Sequence, residues 1–139
     1  SQVNYDALNI AGLYLREKRP KVGDEQYEYT FLDIELDTLT NWIYAHNSQL
    51  TASRDEEVKF KLAYLELLKE NLFLVDENTY SNELSASNEF RGEYYIASRQ
   101  FVAIQLNKML KMEKNPAVRK EIEKIIKTIP ADPKNQKKQ

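Results

Sequence analysis

The sequence predicts an all-α fold, a compact bundle of about five helices, and three observations carry that prediction. Apolar residues recur at three- and four-residue spacing through most of the 139 positions. Three glycines and four prolines supply too little turn chemistry for a many-stranded sheet. Hydrophobic residues make up 42% of the chain, enough for one core at this length. Residues 1–130 are therefore expected to form one helical domain and 131–139 a flexible, basic tail.

The first helix is expected over 4–18, where Ala7, Leu8, Ala11, Tyr14 and Leu15 fall on one side and Pro20 ends the run. A loop containing Gly23 leads to a second helix over 28–47, marked by Phe31, Leu32, Leu36, Leu39, Trp42 and Ile43. Tyr27 and Tyr29 suit either its first turn or a short extended approach. Ser53-Arg54-Asp55-Glu56 has the form of a capping box, in which serine and glutamate each satisfy the other's backbone amide, and opens a third helix over 54–75.

That third helix is apolar on two faces. Val58, Leu62, Leu65 and Leu72 share one side, and Phe60, Ala63, Leu67 and Leu74 the opposite side. Asp76-Glu77-Asn78 interrupts the pattern, and the polar, serine-rich stretch from Tyr80 to Asn88 reads as a loop or a weak helical lead-in. A fourth helix over 88–112 is again two-faced, with Phe90, Tyr94, Ala97, Phe101 and Ile104 across from Tyr95, Val102, Leu106, Met109 and Leu110. Asn115-Pro116 then caps and starts a fifth over 116–129. Its stripe is Val118, Ile122, Ile125 and Ile129, and Pro130 stops it.

Several function classes are set aside at this stage. No apolar run approaches the roughly 18 residues of a spanning helix, so no membrane span is expected. The absence of cysteine removes disulfides, thiolate zinc sites and cysteine nucleophiles. The chain starts Ser1-Gln2-Val3 without a basic, apolar leader, which makes the cytoplasm the expected setting. His46, the lone histidine, flanks an apolar stripe near a helix end, where capping carbonyls is its ordinary use.

Neither a metal nor a cofactor is expected. Asp33 and Asp37, one turn apart, point away from the apolar stripe as solvated acids do. The Glu-Glu-x-x-Glu pattern of helical nucleotide pyrophosphatases fails at Phe60, and phosphate-binding, esterase and zinc-protease motifs do not occur. The expected protein is non-catalytic.

What remains is surface. Two helices with second apolar faces exceed what a simple bundle covers: either the first and fifth helices wrap around them in a compact core, or one face meets another chain, with Phe60, Tyr64, Leu67, Tyr95, Val102, Leu106 and Met109 as the expected contacts to a protein partner or to a second copy. Charge is also uneven. Residues 1–90 carry 8 basic and 17 acidic side chains, net −9, and residues 91–139 carry 12 and 5, net +7. Self-association is one expected consequence of that polarity. The alternative is nucleic-acid binding through Lys120, Lys124, Lys127 and the tail lysines Lys134, Lys137 and Lys138. A third reading is a ligand-sensing extracytoplasmic bundle.

Overall fold

The computed structural model describes residues 2–21, 32–45, 54–71 and 77–129. Among these lie six helices and no strand: α1 (Gln2–Glu17), α2 (Leu32–Ala45), α3 (Arg54–Asn71), α4 (Glu77–Ala86), α5 (Glu89–Met112) and α6 (Pro116–Thr128). The all-α bundle is as expected, with one helix more. His46, Ser53, Leu72, Leu74, Tyr27, Tyr29 and the tail lysines fall outside the described residues.

The additional helix is α4, in the stretch left open between loop and lead-in. Its composition is poor for a helix, and tertiary contact compensates. Leu84 lies over Gly92, where a Cβ on the glycine would sit in ordinary contact, 3.8 Å from the leucine methyl. Glu83 accepts hydrogen bonds from Arg91 at 3.2 Å and from the Tyr95 hydroxyl at 3.4 Å. These contacts fold α4 back onto the first turns of α5.

Caps set the limits of the last two helices. The Asn88 side chain accepts from the Arg91 amide at 2.9 Å, and the Asn115 side chain from the amides of Ala117 and Val118 at 2.9 and 3.1 Å. Pro116 occupies the first turn of α6, where its missing amide has no intrahelical acceptor to lose. Arg119 finishes the turn between α5 and α6 by donating to the carbonyls of Leu110 and Glu113 at 2.6 and 2.8 Å.

Cross-helix pairs fix the directions. Asp37 meets Gln105 and Lys108, and Tyr44 meets Glu113, at sequence separations of 68, 71 and 69; a near-constant offset means α2 and α5 run parallel. Lys61 with Glu113 and Lys69 with Glu121 share a separation of 52, so α3 and α6 are parallel as well. Thr40 with Tyr64 and Trp42 with Phe60 run in opposite order, making α2 and α3 antiparallel. Neighbouring contacts link α1 to α3 and α3 to α6 in one layer, and α2 to α5 in the other. This is the layout of stacked helical hairpins.

The core lies between the layers. Leu8 and Leu15 enter it from α1, Leu32, Leu36 and Ile43 from α2, and Val118, Ile122 and Ile125 from α6, all 5% exposed or less. Each such side chain contributes roughly 1.5 to 3 kcal/mol by leaving water. The Phe60 ring is held edge-on between Tyr5, at 5.2 Å, and Trp42, at 5.9 Å.

Candidate interaction surface

The seven residues expected to face a partner are all buried in the chain. Phe60, Tyr64, Leu67, Tyr95, Val102, Leu106 and Met109 are each 7% exposed or less. The expectation of an outward second face on these helices is therefore corrected. α3 lies between α1 and α6, while α5 is flanked by α2, α4 and α6, so each needs apolar residues on more than one side to seat its own neighbours. The surplus apolar surface is consumed by α1 and α6 around α3 and by α2, α4 and α6 around α5.

Large exposed apolar residues occur elsewhere, and most lie on the first two helices. Ile10 is 66% exposed, Leu13 58%, Tyr14 47% and Ile34 58%; on α5, Ile104 is 60% exposed. The Tyr14 hydroxyl donates to Glu35 at 2.9 Å, placing Tyr14 level with Ile34. Ile34 and Ile104 lie one turn before Asp37 and Lys108, which are themselves in contact at 2.8 Å. Tyr14, Ile34 and Ile104 thus form an apolar band running across α1, α2 and α5, extended along α1 by Ile10. Polar groups rim it: the Lys18 ammonium sits 5.1 Å over the Tyr14 ring, Asp37 pairs with Lys108, and Asp33 is exposed.

Charge polarity is partly an internal matter. Of the basic residues behind the +7, Arg91 pairs with Glu83, Lys108 with Asp37, Arg99 donates to the Thr128 carbonyl, and Arg119 closes the α5–α6 turn. Lys120, Lys124 and Lys127 differ. They are exposed on the outer side of α6 and form no ion pair among the described residues.

A cleft of about 510 Å³ opens between the start of α3 and the α5–α6 turn, lined by Tyr44, Arg54, Glu57, Lys61, Met112 and Glu113 among others. Inside it Lys61 pairs with Glu57 and with Glu113. The Glu113 carboxylate, 2% exposed, accepts from the Tyr44 hydroxyl at 2.6 Å, from Lys61 at 2.9 Å and from the Asn115 amide at 3.1 Å. Lys61, 5% exposed, also reaches Glu57 at 2.9 Å and lies 4.6 Å over the Tyr44 ring. Nothing in the sequence pattern flagged this cluster, because Glu113 sits in a turn without periodicity.

Among the described residues, two buried tyrosines couple folding to proton binding. Burial raises the Tyr44 hydroxyl far above the usual phenol range, and the Glu113 carboxylate raises it further. Burial likewise raises Tyr64, whose hydroxyl shares a 2.9 Å hydrogen bond with Thr40. Thr40 gives its own proton to the Leu36 carbonyl, so Tyr64 is the donor of that pair. A folded value above the unfolded one means stability is fully present below pH ~10 and is lost as pH rises beyond it. Urea midpoints are expected to fall steeply between pH about 10 and about 11, and Tyr44→Phe with Tyr64→Phe to flatten that fall. An unchanged slope in the double variant contradicts the assignment.

Among the described residues no three His, Cys, Asp or Glu side chains are placed to share a metal ion. Asp37 is engaged by Lys108 and Gln105, which together hold its carboxyl below the usual range, and Asp33 accepts from the neighbouring Ile34 amide. No described helix is long and apolar enough to cross a membrane. Set against protein-family models, curated proteins and solved structures, the chain matches none.

Proposed function

We propose that the chain is a non-catalytic helical interaction module that binds a protein partner through the apolar band of Tyr14, Ile34 and Ile104 and its extension at Ile10. The observation that carries this reading is the band itself. Three of its residues are more than half exposed, and they align across three helices instead of being scattered singly. A polar rim around an apolar centre is the ordinary anatomy of a protein interface. The proposed setting is the cytoplasm, in keeping with a sequence that holds no cysteine.

The test is affinity capture from the native cell with the wild-type chain and with Ile34→Glu/Ile104→Glu. Both substitutions sit on exposed positions, so folding should change by no more than about 0.5 kcal/mol per site. A partner retained by the wild type and lost from the double variant supports the reading; identical captures refute it. Nucleic-acid binding is the second reading, favoured by the exposed Lys120, Lys124 and Lys127 face of α6. Nuclease treatment of the captured complexes separates the two, since only an association carried by phosphates is released.

A further inference from the structure

We infer that the α1 end of this band is covered by α1 of a second copy of the chain, packed antiparallel across a two-fold axis. The inference rests on the band being a contact surface and specifies the occupant at one end of it. α1 has two apolar stripes. The inner one, Leu8, Gly12 and Leu15, is buried. The outer one is Ala7, Ile10 and Tyr14, all exposed, and its three- then four-residue spacing is the spacing by which one helix seats against another.

Two observations favour a second copy over a head-to-tail stack. Asp6 lies near the start of α1, and Arg16 and Lys18 lie at its end. An antiparallel pair centred near Gly12 sets Ile10 against Tyr14 of the second copy and brings Asp6 opposite Lys18 of that copy. Opposite charges then face each other at both ends of the contact. Among the described residues the other end of the stack offers no matching surface, since the exposed side of α6 carries Lys120, Glu123, Lys124 and Lys127 and no large exposed apolar residue. An interface using the same apolar end twice closes at two copies. A 16-residue helix is only about 24 Å long. The pairing therefore falls in the small, reversible class below the roughly 800 Å² per partner of standard interfaces.

Sedimentation of the purified chain from about 5 to about 500 µM at low salt tests this directly. The weight-average mass is expected to climb from 16.3 kDa toward twice that value, and Ile10→Glu to hold it at the monomer mass across the range. Ile104→Glu, at the far end of the band, should leave the climb unchanged. Because the chain has no cysteine, Ile10→Cys and Tyr14→Cys chains can be mixed and oxidised. Antiparallel pairing favours the mixed disulfide several-fold over either homodisulfide. A monomer mass at every concentration overturns the inference, as does a dimer that Ile104→Glu dissolves and Ile10→Glu does not. Either result leaves the interaction reading to the capture experiment, which uses Ile34 and Ile104.

Discussion

Replacing Glu113 by alanine is expected to lower the unfolding free energy by about 3 to 5 kcal/mol, the usual consequence of stranding one member of a buried ion pair. The loss is large because one carboxylate serves three donors from three places in the fold: Tyr44 at the end of α2, Lys61 in α3, and the Asn115 amide that opens α6. Without it the Lys61 ammonium, 5% exposed in the intact fold, keeps Glu57 as its one carboxylate partner among the described residues. Lys61→Met/Glu113→Gln should recover most of the loss. Methionine fills the lysine's volume without a charge, and the glutamine oxygen still accepts from Tyr44. Urea denaturation reads both variants through the midpoint at unchanged slope. A Glu113→Ala variant within about 1 kcal/mol of the wild type would show that water replaces the carboxylate at little cost.

The recovery decides between two roles for the cluster. If the double variant folds as well as the wild type, the ion pair holds the α5–α6 turn in place without adding net stability, the common outcome when desolvation offsets attraction. If it stays destabilised, the geometry of four hydrogen-bonding groups contributes beyond what apolar packing supplies.

The helices were legible where local signals are strong and the surface was not. Asn115-Pro116 is a complete start signal, and the stripe Val118, Ile122, Ile125 is the buried side of α6. α4 escaped because its reasons lie in Gly92, Arg91 and Tyr95 of the next helix, not in its own residues. The two-faced pattern of α3 and α5 marks a surplus for a simple bundle and fits either further helices of the same chain or an outside partner; in the structure α1 and α6 flank α3, and α2, α4 and α6 flank α5. A helical wheel reports how many sides a helix must bury and says nothing about which chain buries them. Ile104, placed by its wheel among core residues, is 60% exposed, one turn before the Lys108 that pairs with Asp37 of α2.

The same logic makes Phe60 the most expensive aromatic to truncate. Its ring, 1% exposed, is the point where α1, α2 and α3 meet, edge-on to Tyr5 and Trp42. Phe60→Ala is expected to cost about 3 to 5 kcal/mol, from lost transfer free energy and an unfilled cavity. The loss should fall unevenly. α1 is held to the core by Leu8 and Leu15 and by Tyr5 on Phe60. Removing the ring takes away the partner of one of these anchors, whereas α5 and α6 keep theirs. Amide exchange in α1 is expected to accelerate more than in α6, and emission from Trp42, the chain's single tryptophan, to change in the folded state. Equal acceleration in both helices would mean that the first hairpin does not open separately. Selective opening of α1 would also weaken any pairing of two copies through its outer stripe, so Phe60→Ala should raise the concentration needed for dimerisation while leaving Ile10 and Tyr14 in place.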